Sequence, residues 1–220
     1  MKLFLASALP DDVRWAADNG LLDAVVTSPA LLTAARAHDD RDHLLELCRL
    51  SGTPVFASVR ATHGLDAYRD ARELARLSDQ IVVTLPLVEE VLPVVQRLAR
   101  DGVPVAATLV FTAAQAMLAT RAGASRLFLS VGQLELNGLD GVAAVREARQ
   151  VLDAAREECD LVALYPASAS QFAACAAAGA DAAAVTCDVL RALLAHPLTA
   201  RGIAQFEQDL AARPRLWSAS

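Results

Sequence analysis

The sequence predicts an α/β protein of the (β/α)8, or TIM, barrel class with one extra helix at the C-terminus. Short apolar runs alternate with longer segments of helical period, which is typical of parallel strands joined by crossover helices. Eight such units follow one another, with glycines between them. Because 220 residues suffice for one core, we expect a single domain over residues 1–220. An open, doubly wound sheet is the alternative architecture.

Each predicted strand is short, and each precedes a plausible helix. The strands are Leu3–Ala6, Ala24–Thr27, Val55–Val59, Gln80–Leu85, Val105–Leu109, Arg126–Ser130, Leu161–Leu164 and Ala182–Val185. Pro10, Asp11 and Asp12 suit the first turn of the first helix, where free amides favour acidic side chains. Four glycines stand where a positive φ ends a helix before the next strand, namely Gly20, Gly102, Gly123 and Gly179.

The C-terminal helix and tail, residues 198–220, follow the eighth unit. We expect the helix over Thr199–Ala212, with Ile203, Phe206 and Leu210 spaced three and four residues apart on one face. An apolar stripe of this kind needs a surface that covers it.

Composition argues against several partners. The 20 basic residues are Lys2 and nineteen arginines, and the net charge is −6, so we expect no nucleic-acid partner. No apolar run is long enough to cross a membrane and no signal peptide is apparent, so we expect no membrane partner and a cytoplasmic location.

The sequence also contains no motif that indicates a metal or a cofactor. The histidines have no partner at metal-ligand spacing and no nucleotide-binding motif occurs, so we expect neither a metal nor a cofactor. The cysteines lack CxxC spacing and read as free thiols in a reducing compartment; they are Cys48, Cys159, Cys175 and Cys187. Among them, Cys187 stands beside Asp188 at a helix N-terminus, a position that favours a lowered pKa.

Six segments carry a resemblance to a known family: residues 20–32, 81–86, 108–115, 122–124, 138–141 and 196–202. In order and spacing they are similar to the small transaldolases, in particular the fructose-6-phosphate-aldolase-like subgroup. The resemblance implies a (β/α)8 barrel and a homo-oligomeric ring, a pentamer or decamer, in which the C-terminal helix reaches over a neighbour. It also implies reversible aldol chemistry on sugar phosphates, through a Schiff base on a strand-four lysine.

This chain departs from the family at the positions of that chemistry. The family's lysine falls in a Val-Lys-Ile-Pro-like segment, which here reads Val83-Thr84-Leu85-Pro86. A threonine hydroxyl forms no iminium, and Lys2, the only lysine, begins the first strand at the remote end. The other implied departures are Ala6 for an aspartate, Ser28 for an asparagine, Ser58 for a glutamate or glutamine, Gln133 for an arginine, and Leu164–Ala167 for a phosphate-binding segment, while Thr108 is kept.

Sugar phosphates are therefore poor candidates as substrates, because the charge-assisted hydrogen bonds of an arginine or lysine are lost. The loop Gly138–Gly141 keeps backbone amides as an alternative anion site. We predict a small-molecule ligand at the C-terminal face of the barrel, in a pocket lined by Ser28, Ser58, Thr84, Thr108, Ser130 and Gln133.

The candidate catalytic residues are Arg60, His63 and Tyr165. The imidazole of His63 can move a proton and Arg60 can bind an anionic or enolate oxygen, although the alternative is that both lie on a solvated loop. Tyr165 can donate a hydrogen bond to a carbonyl or stack on a planar ligand; the alternative is that it only fills space.

Two functions remain open. The first is a repurposed enzyme for non-covalent condensation, cyclisation or isomerisation, which orients a less charged substrate with hydroxyl groups. The second is an inert relative that serves as a binding or scaffolding ring. An open, polar pocket favours the enzyme, whereas a barrel plugged by Tyr165, Leu85 or their neighbours favours the inert ring.

Overall fold

The computed structural model describes residues 1–61 and 63–213, and it forms a closed barrel of eight parallel strands. They are β1 (Lys2–Ala6), β2 (Ala24–Val26), β3 (Val55–Ser58), β4 (Ile81–Pro86), β5 (Val105–Val110), β6 (Arg126–Leu129), β7 (Asp160–Leu164) and β8 (Ala182–Val185). Neighbours in the chain pair in sequence order, and β8 pairs with β1. The barrel prediction is confirmed, the open sheet is wrong, and every strand lies within one residue of its expected ends.

The helices surround the barrel. They are α1 (Pro10–Asp18), α2 (Pro29–Ala34), α3 (Asp40–Ser51), α4 (Gly64–Ala75), α5 (Leu92–Arg100), α6 (Ala113–Arg121), α7 (Val131–Leu136), α8 (Gly141–Ala155), α9 (Ala169–Ala177), α10 (Cys187–Ala192) and α11 (Pro197–Ala211). A 3-10 turn, Glu89–Val91, precedes α5. The connections after β2 and β6 each contain two helices, where the sequence pattern predicts one per unit.

Local chemistry fixes the helix ends. At the start of α6, the Thr112 hydroxyl accepts from the Gln115 amide and the Gln115 side chain accepts from the Thr112 amide, both at 3.2 Å. Such a cap contributes about 1 kcal/mol to helix stability. The α1 start at Pro10 and the positive φ of all four predicted helix-closing glycines are confirmed.

Alternate strand residues face two separate apolar cores. The outer cluster lies between the strands and the helices, and includes Leu5, Val25, Val83, Leu127 and Val185. The inner cluster fills the barrel itself with Phe4, Ala6, Ala24, Val26, Phe56, Val82, Ala106, Phe128, Val162, Ala182 and Ala184. Its phenylalanine rings pack closely, with the Phe56 centroid 5.5 Å from that of Phe4 and 5.0 Å from that of Phe128.

Charged groups cap the N-terminal end of the barrel. The Lys2 ammonium lies 3.6 Å from the Asp160 carboxylate, and the Arg126 guanidinium lies 3.5 Å from the same carboxylate. The Arg126 guanidinium also sits 5.7 Å from the centroid of the Phe56 ring. The only lysine of the chain is therefore at the end of the barrel opposite the C-terminal ends of the strands.

Helix α11 leaves the barrel and packs against none of the described residues closely enough to bury a side chain. Its apolar residues remain exposed, including Ile203 at 54%, Phe206 at 63% and Leu210 at 53%. The predicted apolar stripe is thus present and uncovered in the single chain. Residues 214–220 of the predicted tail lie outside the described residues.

None of the helices within residues 1–61 and 63–213 combines the length and the apolar character required to cross a bilayer.

Candidate active site

The candidate site is the mouth of the barrel, by which we mean the C-terminal ends of the strands and the segments that follow them. Active-site residues of this fold gather at that end. The inner cluster forms the floor of the mouth, because Phe56, Val82, Ala106 and Phe128 lie one inward step below the last inward residues. Those last residues are hydroxyl-bearing, namely Ser58, Thr84, Thr108 and Ser130.

Ser58 and Thr84 form one unit. They are paired in the register of β3 and β4, and their hydroxyl oxygens lie 2.8 Å apart. Thr84 is 2% exposed, whereas Ser58 is half-buried. A buried hydroxyl without a partner would be costly, so Ser58 satisfies the polar group that β4 places in the barrel.

Thr108 and Ser130 continue the row of hydroxyls on β5 and at the end of β6. The Thr108 hydroxyl donates to the Leu85 carbonyl oxygen at 3.2 Å, which ties β5 to β4. Ser130 is 3% exposed, and its amide donates to the Val110 carbonyl oxygen at 2.9 Å. These two side chains are placed by the strands rather than by loops.

Tyr165 closes one side of the mouth. Its ring packs against the inner cluster, and its amide donates to the Ala184 carbonyl oxygen at 2.8 Å. The backbone is left-handed at φ 60°, and Gly132 allows the approach, since a Cβ there would lie 2.8 Å from the Tyr165 carbonyl oxygen. Burial raises the pKa of the Tyr165 hydroxyl, so this group stays protonated and can donate a hydrogen bond.

Ser28 and Gln133 lie at the edge of this arrangement. The Ser28 hydroxyl accepts from the Leu31 amide at 3.3 Å and thereby caps α2. Gln133 is exposed in the first turn of α7. The structure therefore brings Ser58, Thr84, Thr108, Ser130 and Tyr165 to the barrel interior, with Ser28 and Gln133 outside that group.

Arg60 and His63 occupy the connection between β3 and α4. The Arg60 guanidinium is 84% exposed and pairs with the Asp40 carboxylate at 2.9 Å. His63 is exposed at the N-cap of α4, where its ring makes no capping hydrogen bond. Both side chains lie on the outer rim, which matches the solvated-loop alternative more closely than an interior position.

A cavity of about 480 Å³ opens beside the mouth and runs between α3 and α4. Ser58 and Arg60 line one end of it, and Leu44 and Leu77 line other parts. The expectation that Leu85 could plug the barrel is wrong, because Leu85 is 1% exposed and packs in the outer cluster, facing the helices. Tyr165 is the predicted plug that does lie over the inner cluster.

A carboxylate near the mouth was missed by the sequence pattern. The Ser7 hydroxyl, just after β1, donates to the Asp12 carboxylate at 2.8 Å. The sequence explains Asp12 as an acidic residue in the first turn of a helix, so the contact was not expected. The polar Ser7 immediately after a buried strand is the feature that could have indicated it.

Cys187 lies close to this pair, and the expectation of a lowered pKa is wrong. Burial is the largest effect and raises the pKa of the Cys187 thiol, and a hydrogen bond to Asp12 raises it further. The Arg191 guanidinium, 3.4 Å from the sulfur, acts in the opposite direction without prevailing. Desolvation is therefore the dominant influence on this thiol.

These features describe a (β/α)8 barrel whose candidate site is a row of strand hydroxyls beside a tyrosine. Residues 10–217 match the family model described as transaldolase/fructose-6-phosphate aldolase. The chain therefore belongs to the transaldolase/fructose-6-phosphate aldolase family.

Similar curated proteins carry the name "Probable transaldolase". One from Hyphomonas neptunium is 36% identical over 209 residues, which covers 95% of this chain and 96% of that protein. Another from Methanococcus maripaludis is 35% identical, with 95% and 97% covered. A third, from Lactiplantibacillus plantarum, is 34% identical, with 95% and 96% covered.

The thiols should be unreactive in the folded protein. Burial raises the pKa of Cys159 and of Cys175 to about 11, so at pH 8 roughly a thousandth of either group is thiolate. We expect iodoacetamide to label folded protein far more slowly than protein in urea, with a rate that still rises above pH 9. Mass spectrometry of the peptides checks this, and rapid labelling of Cys187 at pH 7 would show that this thiol is activated after all.

Proposed function

We propose that this chain is an enzyme that acts on a small, uncharged carbonyl compound without forming a Schiff base. The observation that carries the proposal is the Ser58–Thr84 pair, whose hydroxyl oxygens lie 2.8 Å apart. Thr84 stands on β4 at the position where the family resemblance implies a reactive lysine. The only lysine, Lys2, is bound to Asp160 at the other end of the barrel. Non-covalent condensation, cyclisation or isomerisation fits such a site.

Charge around the mouth supports an uncharged substrate. Arg60 and His63 are the only basic residues in the segments that directly connect a strand to the next helix, and Arg60 is paired with Asp40. A phosphate held without arginine or lysine loses hydrogen bonds worth about 1.5–3 kcal/mol each. The proposed substrate is accordingly not a sugar phosphate.

The hydroxyls can supply hydrogen bonds where oxygen charge develops. If Thr84, which is buried, donates its proton to Ser58, the Ser58 proton is available to a ligand in the neighbouring cavity. Two hydroxyls joined in a chain of hydrogen bonds polarise each other, which strengthens the hydrogen bond from Ser58 to the ligand. The protonated Tyr165, which follows β7, is a second neutral donor at the mouth, and neutral donors of this kind can stabilise an enolate or alkoxide oxygen.

Proton transfer needs a further group, and Asp12 is the carboxylate that supports this part of the proposal. It is half-buried beside the mouth and accepts from Ser7 at 2.8 Å. Arg60 and His63 stay in the proposal as rim residues that contact a ligand only as it enters.

The alternative function is an inert binding or scaffolding ring, and the packed interior favours it. Phe56 and Phe128 are fully buried and Tyr165 covers the cluster that they form, so no deep pocket is required by the fold. The absence of any Tyr165-dependent ligand or turnover would decide for this alternative.

Assembly into a ring is part of the proposal in either case. Helix α11 exposes Ile203, Phe206 and Leu210 along one stripe, and isolated helices of 15 residues are marginal in water without a surface to cover them. A second copy of the chain is the proposed surface, and the free thiols support a reducing, cytoplasmic compartment.

Schiff-base trapping tests the chemistry directly. Incubation with dihydroxyacetone and borohydride should leave the intact mass unchanged, because a threonine hydroxyl forms no iminium. The control variant Lys2→Arg should behave identically. A stoichiometric adduct that Lys2→Arg abolishes would place the amine chemistry on Lys2 and overturn the proposal.

Tyr165→Phe tests the neutral donor. Removing one hydroxyl should weaken ligand binding or turnover by about two- to tenfold, the value of a single neutral hydrogen bond, and leave the fold intact. Binding should be constant from pH 6 to 9, because the raised Tyr165 pKa keeps the hydroxyl protonated there, and should fall only at higher pH.

Tyr68→Phe is the matched control for that experiment. The Tyr68 hydroxyl donates to Asp101 at 2.6 Å on the outside of the barrel, so its loss should not change binding. Equal effects of the two substitutions would remove Tyr165 from the site.

Helix α11 can be tested by changing its stripe. The double variant Ile203→Glu/Phe206→Glu should reduce the mass in light scattering from a multiple of 23.2 kDa to that value, because two charges cannot be buried unpaired in an interface. Gln205→Glu/Gln208→Glu adds the same charge to other positions of α11 and should leave the assembly intact. A wild-type chain that is already monomeric would contradict the ring.

A further inference from the structure

We propose that the mouth is built for a ligand that carries an apolar group beside its carbonyl or hydroxyl oxygen, and that Leu109 recognises the apolar group. The inference rests on the proposed function, because it names the class of ligand for the same site. It is carried by an exposed leucine in a left-handed conformation beside Thr108, across the end of β6 from Tyr165.

A bulge at the end of β5 places this leucine. Ala107 pairs with Leu127 and Val110 pairs with Leu129, so three steps along β5 match two steps along β6. Ala107 and Val110 both pack in the outer cluster. The extra residue therefore leaves Thr108 and Leu109 together on the inner side of the strand, at its C-terminal end.

The fold does not account for a leucine at this position. Leu109 has φ 58° and is 53% exposed, and it packs in neither apolar cluster of the described residues. A left-handed conformation costs a residue with a Cβ about 1–2 kcal/mol, which glycine avoids. A leucine that is half exposed recovers only part of this cost by burial, and in the proposal a bound ligand covers the rest of its apolar surface.

The neighbours of Leu109 provide both hydroxyl groups and apolar surface. β6 lies between β5 and β7, and it ends at Ser130, so Leu109 and Tyr165 flank that hydroxyl from opposite sides. Tyr165 shares the left-handed conformation at φ 60° and presents a half-buried ring as well as a hydroxyl. A ligand whose oxygen meets Ser130, Thr108 or Tyr165 has its substituent next to Leu109 or the tyrosine ring.

The ligand class follows from this arrangement. An anion is disfavoured because, among the described residues that directly join a strand to the next helix, the one arginine is Arg60, which is paired with Asp40, and there is no lysine. A fully polar compound leaves Leu109 in water. A small neutral ketone, aldehyde or alcohol with an aliphatic or aromatic substituent satisfies both the hydroxyls and the leucine.

A homologous series of methyl ketones, from acetone to 2-hexanone, tests the inference by ligand-detected NMR. In the wild-type chain, Kd should fall by about fourfold for each methylene that becomes buried. In Leu109→Gly this dependence on chain length should disappear. The melting temperature should stay the same or rise, since glycine adopts φ 58° without strain.

Arg156→Gly is the matched control. Arg156 has φ 55° at the C-cap of α8, at the N-terminal end of the barrel, so the change relieves the same strain away from the mouth. Its ketone series should match the wild type. Leu109→Asn, which keeps a side chain that tolerates the left-handed region, should lose the chain-length dependence like Leu109→Gly.

Binding of acetone with no gain along the series, or a gain that survives in Leu109→Gly, would overturn this inference and leave the proposed function standing. Failure of every ketone to bind, with no effect of Tyr165→Phe on any ligand, would overturn both. A gain that Leu109→Gly abolishes and Arg156→Gly retains would support the assignment of Leu109.

Discussion

The closing of eight short strands into one ring determines what the interior of this barrel can hold. Phe4, Phe56 and Phe128 occupy the centre, where the Phe56 ring centroid lies 5.5 Å from that of Phe4 and 5.0 Å from that of Phe128. They fit because the neighbouring inward residues are small, with alanine at positions 24, 106, 182 and 184. A barrel filled in this way has a packed floor among the described residues, and active sites of this fold gather above it, at the last inward residue of each strand and in the connections beyond.

The same packing separates charged groups from hydroxyls. At the N-terminal end, Asp160 accepts both Lys2 and Arg126, whose guanidinium lies over the Phe56 ring. At the other end, the buried polar groups are hydroxyls, and one of them, Thr84, has Ser58 as its partner. Burying a neutral, hydrogen-bonded hydroxyl costs far less than burying a charge, so an aldolase-type barrel can place threonine at 2% exposure without a compensating ion.

The sequence pattern predicts the regular parts of the molecule well, because alternating burial repeats in every unit. The strands, the first turn of α1 and the exposed stripe of α11 all follow from spacing and turn chemistry. The short additional helices α2 and α7 are not predicted, since segments of six residues carry little periodicity. Leu85 is named with Tyr165 as a side chain that could plug the mouth, although the alternation that places Thr84 inward places Leu85 outward.

The site was harder to predict because its features depend on contacts between units. The bulge at Leu109 interrupts a strand whose sequence contains no glycine. The pKa of the Cys187 thiol is raised rather than lowered because the thiol is buried, which its position on its own helix does not reveal. Arg60 is a candidate catalytic residue from the sequence, yet Asp40 of the preceding helix holds it at the rim. The spacing of residues along the sequence does not predict these contacts between distant segments.

Tyr165 links the packing of the barrel to the chemistry of its mouth. Its left-handed backbone costs about 1–2 kcal/mol, an amount similar to the gain from burying a large part of an aromatic ring. Gly132 is what permits this conformation, since any Cβ there would meet the carbonyl oxygen and the Cβ of Tyr165 within 2.9 Å. The first turn of α7 thus holds the tyrosine against the inner cluster. A hydroxyl fixed by backbone and packing, rather than by a flexible loop, is already oriented before a ligand arrives, and this orientation makes a neutral donor useful in place of a charged one.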